Sequence, residues 1–377
     1  MKVLEVGLSF NPGGVESFVM NYYRRLRNMG ITFEFLCMYD SLAYEQEIKD
    51  NGDLIHYVPN VKKDINGFKR AYRTLLKEKS YNAVHVNMLS AANILTLRLA
   101  KEMAVPHVIA HSHNANAPGI IRNLMHRFNK HRVSEYANEH WACAGEAAAW
   151  LFPESVLDTV RIVHNAVEVD RYLYRETARK QVRRELRIEE NLVLGHVGRL
   201  DVQKNHAFLL KVMRDLLPKV PNALLLLAGD GPLKEELMQQ AVEYEISDAV
   251  RFLGVRGDIP ELLSAMDLFV FPSLFEGLSV TAVEAQCAGL PCLVSDTISE
   301  ETKLSDSFHR LPIGRDTSEW SQQIQNHALS LKEGTVSCLR NETDNDKIRR
   351  RMEEEGYSIE LESEKLGEVF KSWSQKI

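Results

Sequence analysis

Two glutamates eight residues apart are the side chains best placed for chemistry in this sequence. Glu276 falls in a loop after a predicted buried strand, and Glu284 lies a little over one turn inside the helix that follows. Ser279 is a good N-cap for that helix, so the backbone N–H groups of Gly277, Leu278 and Ser279 are predicted to bind a phosphate. The carboxylates could accept hydrogen bonds from sugar hydroxyls, Glu276 from a hexose and Glu284 from a ribose. The alternative is a capped helix with two surface glutamates.

Two cations follow another predicted strand, in the sequence GHVGRLDVQKN at residues 195–205. Arg199 and Lys204 should project from the loop after this strand, where two fixed positive charges could neutralise a leaving diphosphate. Metal ions perform that task in other enzymes. Taken by itself, the motif is equally compatible with two cations that face solvent.

A pair of glycines marks a third candidate site, in NPGGVES at residues 11–17. The motif follows the first predicted strand and opens a helix, so Gly13 and Gly14 would allow a ligand to approach the backbone closely. An ordinary tight turn explains the glycines as well. Because the motif lacks the spacing GxGxxG, it does not favour a nicotinamide enzyme.

Two histidines in HSHN, residues 111–114, form the fourth candidate site, at the end of a predicted strand. A histidine pair could bind a metal ion, but no carboxylate nearby in the sequence completes such a site. The register leaves a choice between His111 and His113.

Short apolar runs alternate with amphipathic helical stretches, which favours parallel sheets covered by helices. The first series opens with a strand over 2–8 and a helix over 18–29, and it includes a strand over 107–110. The alternation pauses over the charged segment 165–187 and restarts with a strand over 192–197. Such folds bind ligands at the carboxyl ends of their strands.

The composition predicts a soluble, cytoplasmic, globular protein. Its 377 residues are enough for two domains, and 45% of them are apolar while 26% are charged. The net charge of -6 argues against a nucleic-acid partner. No apolar stretch approaches the roughly 20 residues of a membrane-spanning helix, and Glu5 interrupts the apolar core of any signal peptide. The five cysteines show no CxxC pair, which favours buried thiols.

The charge is distributed unevenly along the chain. The first 164 residues carry 19 Lys and Arg against 16 Asp and Glu, so the acidic surplus lies entirely in the remainder. A more basic first half could face an anionic substrate or membrane surface. Ordinary scatter between two domains is an equally good explanation.

These motifs, in this order, resemble those of a known family. FPS followed by Glu276 and Glu284 resembles the donor-sugar signature of retaining glycosyltransferases with the GT-B fold, of the group 1 and family 4 type. Further matches extend over nearly the whole chain: GGVE, the Arg199 loop, the turn AGDGP with Gly231, and FLGVRGDIPELL with Arg256.

The resemblance implies an α/β fold of two doubly wound, Rossmann-like domains that face each other across a cleft. The N-terminal acceptor domain would cover 1–165, and the C-terminal nucleotide-sugar domain would cover 166–357. The final stretch, 358–377, would return as a helix to the first domain.

The resemblance also implies the activity. The protein would move a sugar from a nucleotide diphosphate, preferably UDP, to a hydroxyl of a glycan or polyprenyl-linked acceptor in capsule or exopolysaccharide assembly. Gly14 and Gly231 would border the donor, and the backbone near Arg256 would read the base. Of the two histidines we favour His111 for the donor contact, because it directly follows the predicted strand 108–110.

No metal or other cofactor is expected from this resemblance. The unrelated GT-A transferases hold a divalent metal with an acidic pair. The only Asp-x-Asp in this sequence is at residues 344–346, in a charged tail where a solvated loop is expected.

Two stretches of the first domain mix basic and apolar residues, YYRRLR at 22–27 and RNLMHRFNKHR at 122–132. They could rest on an anionic bilayer and bring the enzyme to a lipid-linked acceptor, although a solvated helix face explains each as well. Two other functions fit the same architecture. A sugar-nucleotide epimerase would need no acceptor, and a non-catalytic binding protein would leave its ligand unchanged.

Overall fold

The computed structural model describes residues 1–116, 119–276, 278–314, 316–333 and 340–374. The chain forms two compact units. Unit 1 consists of Met1–Ala166 together with the C-terminal segment that begins at Ile359, and unit 2 consists of Val167–Ser358. None of the helices in these ranges is both long enough and apolar enough to cross a bilayer.

Unit 1 is built on a parallel sheet. Its strands are β1 (Lys2–Val6), β2 (Thr32–Cys37), β3 (Leu54–Tyr57), β4 (Ala83–Met88), β5 (His107–Ser112), β6 (Glu139–Ala142) and β7 (Arg161–Ile162). Among the described residues the sheet has seven strands in the order β3-β2-β1-β4-β5-β6-β7. The helices are α1 (Gly14–Asn28), α2 (Glu45–Asp50), α3 (Ile65–Lys79), α4 (Leu95–Glu102), α5 (Ile120–Tyr136) and α6 (Gly145–Leu151).

Unit 2 repeats this plan. Its strands are β8 (Leu192–Val197), β9 (Ala223–Ala228), β10 (Val250–Gly254), β11 (Leu268–Phe271), β12 (Cys292–Ser295) and β13 (Phe308–Leu311). They form a parallel sheet, six-stranded within the described ranges, in the order β10-β9-β8-β11-β12-β13. The helices are α7 (Val169–Tyr172), α8 (Glu176–Leu186), α9 (His206–Leu216), α10 (Lys234–Glu243), α11 (Ile259–Ala265), α12 (Val280–Cys287), α13 (Ser318–Glu333) and α14 (Asn345–Glu354).

Strand β9 shows why apolar runs become strands in this fold. All six residues of ALLLLA are buried. Leu225 and Leu227 pack into one core cluster, whereas Leu224 and Leu226 pack into another. Successive side chains of a strand point to opposite faces, so a strand covered on both faces needs an unbroken apolar sequence.

The last helix, α15 (Ile359–Ser374), packs on α1 of unit 1. Phe370 and Trp373 join the core of that unit, and Glu360 forms an ion pair of 2.7 Å with Arg25. Gly367 permits the close approach, because a Cβ atom there would lie 2.2 Å from Cε of Met29. The prediction that the C-terminal helix returns to the first domain is thereby confirmed.

Two boundaries beside the candidate sites differ from the predictions. Helix α1 begins at Gly14 rather than at residue 18, because its first turn precedes the apolar positions that signal a helix. Strand β5 continues through Ser112 rather than ending at residue 110, because His111 pairs in register with Asn87 of β4 and Trp141 of β6.

Charged helices were harder to recognise. The segment expected to interrupt the pattern over 165–187 contains α8, which buries Ala178 and Val182. The charged tail was expected to be a solvated helix or a loop, and around residues 344–346 it is a helix, since Asn345 begins α14 and Asp346 pairs with Arg349 three residues later. In both segments the charges hide the helical period.

Candidate functional site

Two of the predicted motifs meet in unit 2. Because β8 and β11 are parallel neighbours, the loops at their carboxyl ends lie side by side. The backbone N–H of Leu274 donates to the carbonyl of Gln203 over 2.8 Å, and the Gln203 amide donates to the carbonyl of Phe275 over 2.9 Å. Asn205 donates to the carbonyl of Pro272 over 3.2 Å. The loop with the cations is therefore fixed to the loop with the first glutamate.

Lys204 and Glu276 form an ion pair at this junction. Nζ of Lys204 lies 2.6 Å from Oε1 of Glu276, and the side chains are only 17% and 11% exposed. The ammonium also lies 4.7 Å from the centre of the Phe271 ring. A partly buried pair of this kind holds its two charges in fixed positions, so both can act on a ligand without reorganisation.

Arg199 differs from Lys204. It is exposed, and its guanidinium has no hydrogen-bond or ion-pair partner within the described part of the chain. Its loop rests on the glycine turn after β9, where a Cβ atom at Gly231 would lie 2.4 Å from the carbonyl oxygen of Leu200. The packing of this loop thus accounts for Gly231 without any contact to a ligand.

The helix of the first motif begins as expected. Ser279 is the N-cap of α12, and its hydroxyl accepts a hydrogen bond of 3.4 Å from the N–H of Ala282. Leu278 is buried, and Gly277 lies outside the described residues. The prediction that these backbone N–H groups bind a phosphate stays a prediction.

Glu284, on the first turns of α12, accepts a hydrogen bond of 2.7 Å from the hydroxyl of Tyr172. Burial raises the pKa of Glu284 to about 7, although the Tyr172 hydrogen bond and the charge of Arg171 lower it. A carboxyl in this state can accept hydrogen bonds from further hydroxyls once it ionises. The sequence gives no signal for the contact of Tyr172 with Glu284, because 112 residues separate the two.

Arg256 lies in the loop after β10 and forms two hydrogen bonds with Asp258, of 2.7 and 2.6 Å. Its charge is therefore balanced by a neighbour. Val255 beside it is 82% exposed, which leaves this stretch of backbone accessible. The geometry suits an interaction through the backbone better than one through the Arg256 side chain.

In unit 1, the glycine motif shapes the start of α1. The Glu16 side chain accepts a hydrogen bond of 2.8 Å from the N–H of Ser9 and closes the loop. Gly13 is the N-cap and offers no side chain to the first turn. A Cβ atom at Gly13 would lie 2.9 Å from Glu16, whereas one at Gly14 would meet no described atom within 4 Å. Protein packing therefore explains Gly13 but not Gly14.

The two histidines occupy different positions. His111 lies inside β5 and is fully buried, so the premise that it directly follows the strand is wrong. His113 is the first residue after the strand and is partly exposed. Their rings stack with centroids 4.1 Å apart. Burial lowers the pKa of His111, and it lowers that of His113 to about 3, so both rings are neutral at pH 7.

The two basic stretches also differ. In α1 the apolar residues Tyr22, Tyr23 and Leu26 are buried in the core. Arg24 pairs with Glu47 and Arg27 pairs with Asp53. Nothing apolar in the first stretch is left to contact a bilayer.

Helix α5, in contrast, presents an apolar face to solvent. Its five exposed apolar side chains are Ile120 (82%), Ile121 (76%), Leu124 (62%), Met125 (49%) and Phe128 (74%). Only His126 and Val133 of this helix are buried among the described side chains. Isolated exposed apolar residues are ordinary, but five within nine positions of one helix form an exposed apolar patch of the kind that interaction surfaces often contain.

Comparison with known proteins places these features in a family. The family model described as "Glycosyl transferases group 1" matches residues 178–307, and the one described as "Glycosyltransferase Family 4" matches residues 12–171. EpsF of Bacillus subtilis (strain 168), which is named as a glycosyltransferase, is 33% identical over 342 residues, covering 87% of this chain and 88% of EpsF. UDP-Gal:alpha-D-GlcNAc-diphosphoundecaprenol alpha-1,3-galactosyltransferase of Escherichia coli is 27% identical over 255 residues, covering 65% of each chain.

Solved structures share the fold at low sequence identity. HepE of Anabaena in complex with UDP superimposes with a TM-score of 0.80 at 18% identity, covering 99% of this chain and 100% of HepE. Sucrose-phosphate synthase from Thermosynechococcus elongatus gives 0.73 at 17% identity and covers 100% of both chains. The predicted GT-B fold with two parallel-sheet, Rossmann-like domains is confirmed.

Proposed function

This chain belongs to the family of group 1 glycosyltransferases, and we propose that it transfers a sugar from a nucleotide diphosphate, with retention of configuration, to a hydroxyl group. UDP is the proposed nucleotide, since HepE has been solved with UDP and with UDP-glucose. The observation that carries the proposal is the fixed Lys204–Glu276 pair, 2.6 Å apart beside the exposed Arg199. It combines a carboxylate for sugar hydroxyls with cations for a diphosphate.

The proposed roles follow from this arrangement. Glu276 would hold the hydroxyls of the transferred sugar and Glu284 those of the ribose. Arg199 and Lys204 would stabilise the charge that develops on the leaving phosphate, together with the backbone N–H groups of Gly277, Leu278 and Ser279. Because cations take this role, we propose that no metal ion is needed.

We also propose roles for two residues of unit 1. Gly14 would let the donor phosphate approach the start of α1, which its open surroundings support. We propose that His113 contacts the donor, since it follows the strand and is partly exposed.

The chemical step balances without a nucleophile from the protein. The acceptor oxygen would form a bond to the anomeric carbon on the face from which the nucleotide departs, while the bond from that carbon to the phosphate oxygen breaks. The proton of the acceptor hydroxyl would pass to the leaving phosphate oxygen. Retention follows because both events occur on one face.

The acceptor we propose is a glycan or a polyprenyl-linked sugar used in exopolysaccharide or capsule assembly. The relative from Escherichia coli supports this class, since its name specifies a diphosphoundecaprenol acceptor. A cytoplasmic enzyme that rests on the anionic inner surface of the membrane through α5 would reach such an acceptor.

The test is a transfer assay with Glu276→Gln. Wild-type protein should release UDP from UDP-galactose or UDP-glucose when a polyprenyl-linked acceptor is present, also in EDTA, and NMR should show the anomeric configuration of the donor in the product. Loss of a group that holds the transition state should lower kcat by about 10²–10³. The matched control is Glu319→Gln, which changes an exposed glutamate on α13.

Three outcomes would contradict the proposal. Near-normal turnover of Glu276→Gln would remove its central residue, and inversion at the anomeric carbon would exclude same-face attack. Conversion of the nucleotide sugar without any acceptor would indicate an epimerase instead.

A further inference from the structure

The carboxylate of Glu5 in unit 1 is buried and has no Lys or Arg partner among the described residues. Glu5 is 4% exposed and lies in β1, in register with His85 of β4. Asn87 is two residues further along β4, so both side chains lie on the same face of the sheet as Glu5. Burying a carboxylate is costly, and its oxygens must therefore be satisfied by hydrogen bonds.

One carboxylate oxygen of Glu5 is connected to His111 by hydrogen bonds through His85. Oε1 of Glu5 lies 3.0 Å from Nδ1 of His85, and Nε2 of His85 lies 2.9 Å from Nδ1 of His111. A carboxylate oxygen accepts, so Nδ1 of His85 carries a proton, and with one proton on that ring its Nε2 accepts. Nδ1 of His111 is then the donor, and its Nε2 keeps a lone pair.

The other carboxylate oxygen of Glu5 is connected to His113 by hydrogen bonds through Asn87. The Asn87 amide donates to Oε2 of Glu5 over 3.0 Å and to the carbonyl of Val6 over 3.2 Å. Both partners are acceptors, which fixes the orientation of this amide. Its oxygen, 2.8 Å from Nε2 of His113, therefore accepts, and Nδ1 of His113 keeps a lone pair.

This network leaves one ring nitrogen of His111 and one of His113 without a proton. Nε2 of His111 and Nδ1 of His113 are buried and have no partner among the described residues. In these tautomers each of them carries a lone pair and no proton, so it could only accept a hydrogen bond, such as one from a sugar hydroxyl.

We propose that Glu5 is a positioning residue that, through His85 and Asn87, holds His111 and His113 in the tautomers that accept a hydrogen bond from a substrate hydroxyl. The assignment of a sugar substrate rests on the proposed function, whereas the tautomers do not. Glu5 itself contacts neither His111 nor His113. It acts through two hydrogen-bonded arms, His85 for the His111 ring and Asn87 for the His113 ring.

The replacement Glu5→Gln makes a specific prediction. A carboxamide has one accepting oxygen and one donating NH₂ group, so it can satisfy only one arm in its present form. If the NH₂ group faces Asn87, that amide turns over and the proton of His113 moves to Nδ1. If the NH₂ group faces His85, Nδ1 of His85 must accept. The proton of His85 then moves to Nε2, and the proton of His111 also moves to Nε2.

The tautomers can be read from two-bond ¹H–¹⁵N correlation spectra of ¹⁵N-labelled full-length protein. We expect wild-type His111 protonated at Nδ1 and His113 at Nε2, with signals assigned from His111→Asn and His113→Asn. In Glu5→Gln one of the two should reverse. Glu34→Gln is the matched control, because Glu34 is equally buried in the same sheet but binds Tyr81 and His56.

Catalysis gives the second measurement. Glu5→Gln should lower kcat about tenfold, the size of one neutral hydrogen bond, while Glu34→Gln should leave it unchanged. Opposite tautomers in the wild-type protein would overturn the proposal, even if Glu5→Gln fails to fold. So would unchanged tautomers in a folded Glu5→Gln. An inactive wild-type protein with the expected tautomers would instead contradict the proposed function.

Discussion

At the scale of single residues, the sequence identifies charged groups but not their partners. Glu276 and Lys204 are named by their motifs, yet 72 residues separate them and only the adjacency of β8 and β11 brings them within 2.6 Å. Tyr172, the partner of Glu284, lies in a four-residue helix without any chemical signature. The side chains that tune a site depend on tertiary contacts, which motif spacing does not contain.

The raised pKa of Glu284 predicts how stability depends on pH. Its value moves from 4.5 to about 7 in the folded state, so between these limits the native protein binds more protons than the unfolded one. The free energy of unfolding should therefore fall as pH rises from 4.5 to 7, by about 3 kcal/mol from this group. Urea unfolding at pH 5 and pH 8 measures the difference.

Two variants separate this effect from other titrations. Glu284→Gln should remove the share of the pH dependence that comes from this group, whereas Glu236→Gln, on the exposed face of α10, should leave the pH dependence of the wild type intact. Tyr172→Phe removes a hydrogen bond that lowers the pKa, so the decline should extend to higher pH. An identical pH dependence in wild type and Glu284→Gln would show that Glu284 does not contribute to it.

At the scale of elements, the periodicity of the sequence identifies helices more readily than it shows which face of a helix is covered by other elements. The mixed basic and apolar sequence of α5 is compatible with a bilayer-facing surface or a solvated helix face, and the structure leaves the apolar residues at its start exposed. Those of α1 look similar and are buried beneath α15 and the sheet. Only the packing partners distinguish a core stripe from an interaction surface.

Helix α5 predicts binding to anionic membranes. Its exposed apolar face is accompanied by Arg122, Arg127 and Arg132, and each cation near an anionic surface contributes about 1 kcal/mol. Arg122→Glu, Arg127→Glu and Arg132→Glu together should reduce binding to vesicles of phosphatidylglycerol and phosphatidylcholine by more than about 100-fold. Vesicle co-sedimentation measures this change.

The control changes the same number of charges in unit 2. Arg184→Glu, Arg187→Glu and Lys219→Glu alter exposed cations outside α5 and should leave vesicle binding unaffected. Phe128→Ser should weaken it by removing apolar burial alone. Equal loss in both triple variants would indicate a general charge effect, and no binding by the wild type would exclude the membrane surface.

At the scale of the whole molecule, the alternating strands and helices predicted two parallel-sheet domains, and that prediction is confirmed. The central strands were recognisable because they are buried on both faces and therefore continuously apolar. Strands β3, β6, β7 and β13, which lie at an edge of their sheet or next to one, were missed, since LIHY, EHWA, RI and FHRL each contain polar residues at accessible positions. The signal for a strand weakens toward the edges of a sheet.

Ligand linkage provides the final prediction. If unit 2 holds the nucleotide, UDP at about 100 times its dissociation constant should raise the free energy of unfolding by about 2.7 kcal/mol, and NAD should not. Arg199→Ala should diminish this gain but leave the ligand-free stability unchanged, because Arg199 is exposed and its guanidinium has no partner within the described residues. Lys219→Ala, which removes another exposed cation, should change neither quantity. Thermal unfolding with each nucleotide measures both. Stabilisation by NAD alone would mean that this chain shares the fold of the family but not its donor.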